Sequence, residues 1–143
     1  MIESYCKMTT EIKSKCNFEA KLIGDMLVQE YYEFVEKNNY NKLKYMYATN
    51  AEFIWNGNCL TNQENIVDFY RQMPQSKFQI LSMDAQPTFK ANCYPNSISY
   101  MVSVSGNVTY TLLEEKHHFT HYFFLSQVDG TIKIVKEVYR TQA

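Results

Sequence analysis

The longest run of strict period two lies between Ser97 and Tyr110, and it constrains most of what this chain can become. Ile98, Tyr100, Val102, Val104, Gly106, Val108 and Tyr110 alternate with Ser97, Ser99, Met101, Ser103, Ser105, Asn107 and Thr109. Successive side chains of a strand point to opposite faces, so this pattern predicts one long strand with an apolar inner face. Gly106 inside it predicts a bend or a bulge, and a bent sheet can wrap a helix.

Around that strand the pattern predicts further sheet. Phe78 to Phe89 reads as a strand ending near Pro87, followed by a loop at Asn92 to Asn96. His117 to Val128 and Thr131 to Arg140 read as two more, joined at Asp129-Gly130. Phe53 to Leu60 reads as a hairpin turning at Asn56-Gly57, because a two-residue turn needs positive φ at both central positions, which Gly adopts freely and Asn tolerates.

The first part of the chain carries helical spacing instead. Phe18, Leu22, Ile23, Leu27, Tyr31, Phe34 and Val35 recur at steps of three and four, which predicts an amphipathic helix to about Lys37 with these residues on one buried face. A short helix is expected near Tyr40 to Tyr47. A third runs from a cap at Thr61 or Asn62 to about Met73, where Pro74 stops it. Helices first and antiparallel strands after predict an α+β domain in two layers, with residues 1–16 a frayed or helical lead-in and 17–143 a single domain.

Composition narrows the function. The 143 residues are 45% apolar and 15% aromatic, with 12 Tyr against 9 Phe, enough for one packed core. A formal charge of −1 without a run of Lys or Arg predicts weak direct affinity for nucleic acid. Cys6, Cys16, Cys59 and Cys93 form no C-x-x-C pair and read as reduced thiols. The charged N-terminus has no apolar core of a signal peptide and no apolar run nears the roughly 20 residues that span a bilayer, so a soluble intracellular protein is expected, with no membrane.

Chemistry is sparse. His117 and His118 fall on opposite faces of a strand, and with His121 they make a poor zinc set. His121 points inward and is expected either to be a satisfied core histidine or to meet Tyr31 or Asp84 in an acid–base pair. Asp84 precedes a proline-ended strand and has the alternative of a turn or backbone role, and Glu114-Glu115-Lys116 reads as a solvated hairpin tip. The strand His118 to Leu125 would send Phe119, His121, Phe123 and Leu125 inward while Tyr122 and Phe124 remain on its outer face. Strands apolar on both faces are covered on both, and the helices cover one, so a second chain is expected over the other.

The order of elements resembles the nuclear transport factor 2 fold, a cone of three N-terminal helices on a strongly bent, mostly antiparallel sheet. Tyr31-Tyr32, Trp55-Asn56-Gly57-Asn58, Met73-Pro74, Phe78-Gln79-Ile80, Asp84-Ala85-Gln86-Pro87, Gly106-Asn107-Val108, Phe119 with Phe123, and Tyr139-Arg140-Thr141-Gln142 are similar to the nuclear transport factor 2-related export proteins, over about Tyr31 to Gln142. That resemblance implies a non-catalytic subunit without a cofactor, shuttling between nucleus and cytoplasm. It implies pairing, sheet to sheet, with the related domain of the large mRNA export receptor, so that the heterodimer binds the FG repeats of nucleoporins. The family's partner-contacting arginine matches Arg140, which would meet an acidic residue of the large subunit. The implied interface is Met101, Ser103 and Ser105, then Thr120, Tyr122 and Phe124, then Val138 with Arg140.

Two alternatives accompany it. The homodimeric carrier of Ran-GDP has an acidic residue after the hairpin Trp, where this chain has Asn56. A small-molecule isomerase or dehydratase of the same fold would use His121, Asp84 and a cavity Tyr, and requires an open, polar-ended cavity. Departures from the export pattern are Lys136-Glu137-Val138, which stands where the family has a small polar residue, an acid and a Cys, and the first sixteen residues, which have no match.

Overall fold

Small residues set how the long first helix meets the sheet. In the computed structural model, which describes residues 10–89 and 98–142, helix α1 spans Thr10–Glu36 and buries Cys16, Ala20, Gly24, Leu27, Tyr31, Tyr32 and Val35. A Cβ on Gly24 would stand 2.8 Å from the Cβ of Ala85 and 2.9 Å from the sulfur of Met83. The helix axis therefore lies too near the sheet for bulky side chains along that line. Phe18 and Leu22, expected on the buried face, are instead 63% and 52% exposed on the opposite side, because backbone approach and not hydrophobicity chooses the face here.

Helix α2, Tyr40–Tyr45, and helix α3, Gln63–Gln72, complete the helical layer. Asn62 caps α3 by accepting from the Asn65 N–H at 2.9 Å, which satisfies one of the donors a helix start leaves free. Pro74 follows Met73, the extended residue that ends α3, as the sequence predicts.

Six strands follow one another as β1 Tyr47–Trp55, β2 Asn58–Thr61, β3 Ser76–Phe89, β4 Ile98–Tyr110, β5 Glu115–Val128 and β6 Thr131–Gln142. They form one sheet in the order β2-β1-β6-β5-β4-β3, antiparallel throughout except for β1 beside β6. Both two-residue turns have the expected left-handed pairs, Asn56 (φ 47°) with Gly57 (φ 85°) and Asp129 (φ 50°) with Gly130 (φ 81°). Cys6, Cys93 and the loop expected at Asn92 to Asn96 lie outside the described residues.

Two bulges among β3 to β6 bend the sheet into a cone around α1. The first leaves Leu81 unpaired on β3, since Ile80 faces Gly106 and Ser82 faces Ser105. Gly106 is the residue that admits this bend, because a Cβ there would lie 2.1 Å from the carbonyl oxygen of Gln79. Gly106→Ala is expected to cost about 1–3 kcal/mol through forced separation of β3 from β4, read as a lower urea midpoint; an unchanged midpoint would show that the strands part freely.

The second bulge has more consequence for the interior. Leu125 faces Ile134 and Phe124 faces Lys136, so Val135 is the extra residue and the alternation of β6 changes phase there. Ile134 before the bulge and Glu137 and Tyr139 after it are all buried. The core they join contains Leu27, Tyr31, Leu43, Phe53, Ile66, Val102, Val104, Val108, Phe119 and Phe123.

Candidate functional site: an uncovered sheet face behind a sealed interior

The outer faces of β3 to β6 register into cross-strand rows. Ser103 stands between Asp84 and Tyr122, and Tyr122 is in turn opposite Val138. On one side, Ser82, Ser105, Thr120 and Arg140 follow one another across the sheet. On the other side the row is Gln86, Met101, Phe124 and Lys136. The structure thus brings Met101, Ser103, Ser105, Thr120, Tyr122, Phe124, Val138 and Arg140 together on one continuous face that no helix among the described residues covers.

The chemistry of that face is mixed by row. Its centre pairs Met101 with Phe124 and Tyr122 with Val138, cross-strand neighbours close enough to form an apolar strip. Beside the strip the hydroxyls of Ser82 and Ser105 bond to each other, and that row leads to the exposed Arg140. Small hydroxyl side chains leave little relief, so another flat surface can come close. No ion pair among the described residues engages Arg140, Lys136 or Asp84.

The interior is built in the opposite way, with its polar groups consumed by one another. Glu137 is fully buried, and its carboxylate accepts from the hydroxyls of Tyr31 and Tyr47 and meets Nε2 of His121. On the other side of the ring, the Tyr32 hydroxyl and Nδ1 of His121 are hydrogen-bonded at 2.9 Å. Tyr70 bonds to the Tyr31 hydroxyl, and Tyr47 stands 3.0 Å from it. Every buried side-chain nitrogen and oxygen among the described residues has a partner. Burial first, and then the Glu137 charge, push the phenols of Tyr31, Tyr32, Tyr47 and Tyr70 well above the ordinary tyrosine range.

His121 is therefore a satisfied core histidine, held by Tyr32 and Glu137, and it does not meet Asp84. His121 is on the inner face of β5 and Asp84 on the outer face of β3, so the sheet itself separates them. Glu137 is the residue the sequence conceals, since period two carried along β6 without a bulge would leave Glu137 on a face with Lys133. The signal available was His121 itself, an inward polar group that needs a partner from an adjoining strand.

What remains open in the cone is small. A space of 20 Å³, about one water, lies among Val35, Trp55, Tyr70, Phe78, His121 and Tyr139. Outside it a wider recess of 390 Å³ is bordered by Trp55, Met73, Pro74, Tyr110, Leu113 and His117. Asn56 closes the hairpin onto β6 beside that recess. Its amide donates to the Thr141 hydroxyl at 2.8 Å and accepts from the Thr141 N–H at 2.9 Å. Among the described residues no group of three or more His, Cys, Asp or Glu side chains is placed to hold a metal ion, and no helix is long and apolar enough to cross a membrane.

Three helices on a bent six-stranded sheet among the described residues, with interior polar groups that pair with one another and an outer face that none of these helices covers, define an α+β cone of the nuclear transport factor 2 type. The profile of the Nuclear transport factor 2 (NTF2) domain matches residues 23–141. The chain is 32% identical over 124 residues to NTF2-related export protein 2 of Mus musculus, covering 83% of this chain and 84% of that protein. To NTF2-related export protein 2 of Bos taurus it is 29% identical over 139 residues, covering 94% and 95%. Among solved structures it is similar to nuclear transport factor 2 from Cryptosporidium parvum, with a TM-score of 0.73 and 24% identity over 89% of this chain and 98% of that one. The chain belongs to the nuclear transport factor 2 domain family, in its group of NTF2-related export proteins.

Proposed function

We propose that this protein is a non-catalytic nuclear export cofactor that docks, through the outer face of β4 to β6, on the related domain of a large mRNA export receptor. The uncovered strip of Tyr122, Phe124, Met101 and Val138 beside Arg140 carries this reading. The heterodimer would shuttle between nucleus and cytoplasm and bind nucleoporin FG repeats. RNA would be reached through the receptor, in keeping with a formal charge of −1.

The interior weighs against the isomerase or dehydratase alternative. Its space admits about one water, and its His, Glu and Tyr groups are spent on each other. The Ran-GDP carrier is disfavoured by Asn56, whose amide is committed to Thr141 and supplies no negative charge.

Co-expression with the receptor's nuclear transport factor 2-like domain, followed by sizing and titration, tests the proposal. A one-to-one complex is expected, and Arg140→Glu should weaken it by roughly 100-fold, since a like charge opposed to the partner's acid is costly once desolvated. A chain that elutes apart from every such domain, or an Arg140→Glu variant of undiminished affinity, would overturn it.

A further inference from the structure

Helix α1 is apolar on two sides. Gly24 brings one side down on Met83 and Ala85 of β3, while on the other Phe18, Leu22 and Met26 stand exposed at steps of four. Side chains spaced by four form a ridge of the kind that packs into the groove of a second helix, and here the ridge stays open. Single exposed apolar residues are ordinary, but this row leads into a groove.

The groove encloses a space of 340 Å³, with Ile23, Met26 and Glu30 of α1 on one bank and Lys42, Tyr45 and Lys133 on the other. Buried aliphatic side chains from α1, β5 and β6 close its floor. Ridge and groove together run about 24 Å along α1, from Phe18 to Phe34, at a helical rise of about 1.5 Å per residue. The backbone of α1 is spent within its own helix, so this bank offers nothing to the N–H and C=O groups of an extended chain. A helix satisfies its own backbone and needs only side-chain contact.

Charge narrows the occupant further. The amines of Lys42 and Lys133 lie 5.9 Å from the ring centres of Phe34 and Tyr45, and Lys133 also donates to the Tyr45 carbonyl oxygen, which holds both cations at the margin. No ion pair among the described residues engages Lys42, Lys133 or Glu30. One bank is thus cationic and the other anionic.

We infer that the ridge and groove of α1 seat an amphipathic helix of another protein, about four turns long, with its apolar stripe on Leu22 and Met26, an acidic flank toward Lys42 and Lys133, and a basic flank toward Glu30. The sheet separates this groove from the outer face of β4 to β6, so a helix seated here leaves that face free for the receptor domain.

Fluorescence anisotropy with three synthetic helical peptides of about 16 residues tests it. All carry the same leucine stripe, and their flanks are lysine on one side with glutamate on the other, lysine on both, or glutamate on both. The mixed peptide should bind the unaltered chain about tenfold more tightly than either uniform one. Lys42→Glu combined with Lys133→Glu makes both banks acidic and should move the preference to the all-lysine peptide, whereas Glu30→Lys should move it to the all-glutamate peptide. Leu22→Asp, on the exposed ridge, should weaken all three by roughly 100-fold, with circular dichroism confirming that each variant is folded. Equal affinities for the three peptides, a ranking that the charge reversals leave in place, or undiminished binding by Leu22→Asp overturns the inference. So does a chain that binds none of the peptides, or that binds them only after residues 1–9 are removed. A dimer of the unaltered chain that Leu22→Asp dissociates gives the ridge to a second copy and overturns it as well.

Discussion

Glu137→Ala is expected to lower the stability of the fold by about 4 kcal/mol, measured by urea denaturation. The carboxylate is the shared acceptor for Tyr31, Tyr47 and His121, and all of these are buried where water cannot replace it. Each donor left without an acceptor costs about 1–3 kcal/mol, and the missing atoms leave a void besides. Glu137→Gln separates the contributions. Its carbonyl oxygen can keep Tyr31 and His121, while its amide can donate to the Tyr47 oxygen, so a loss of about 1–2 kcal/mol is expected. A Glu137→Ala protein within about 1 kcal/mol of the parent would mean that the phenols and the imidazole satisfy one another without the acid.

This same network bears on function. A catalytic acid or base must reach a reacting atom, and here the groups of suitable chemistry are aimed at each other within an interior with room for about one water. The polar core instead acts on the outer face of the sheet. His121 and Glu137 point inward from β5 and β6, and the residues that alternate with them, Thr120, Tyr122, Val138 and Lys136, are thereby fixed outward. A strand that slipped by one residue would bury Tyr122 and expose His121, at the cost of the whole network.

How much of this was legible in the sequence depended on whether a local rule sufficed. The Asn56-Gly57 and Asp129-Gly130 turns follow from backbone sterics alone, and the long strand of β4 kept one phase from end to end. Features set by close approach or by a change of phase were hidden. Phe18 and Leu22 have the right period for a core and lie outside it, because Cys16, Ala20 and Gly24 fit the narrow space against β3. Glu137 reached the interior through the Val135 bulge, which no alternation rule contains. The outer-face residues fell into rows as the pattern of β4 and β5 predicted, since a face is determined by parity. The residues around Asp84 suggest a base or a turn or backbone role, while its position beyond Ser103 in the central row follows only from strand register.

Alkaline pH should unfold this protein steeply, because four of its phenols cannot ionise in place. Tyr31, Tyr32, Tyr47 and Tyr70 are held well above the ordinary value of 10.0 by burial and then by the Glu137 charge. In the unfolded chain they release their protons near that ordinary value. Below about pH 10 both states keep the protons, and these groups give stability no slope. Above it the unfolded state binds fewer protons than the folded one, so stability falls with rising pH, by about 1.4 kcal/mol per pH unit for each phenol and about 5 kcal/mol per pH unit for the four. A domain with the usual reserve of about 5–15 kcal/mol then unfolds within roughly 1–3 units above about pH 10. Phenolate absorbance and circular dichroism followed together should show these tyrosines ionising in the same step that removes native structure. Tyr70→Phe should reduce the slope by about 1.4 kcal/mol per pH unit, a readout that does not depend on how stable the variant is at neutral pH. Phenolate absorbance that reached the amplitude of all 12 tyrosines while the native dichroism persisted would show that the interior admits the charges, and the sealed reading of the cone would fall with it.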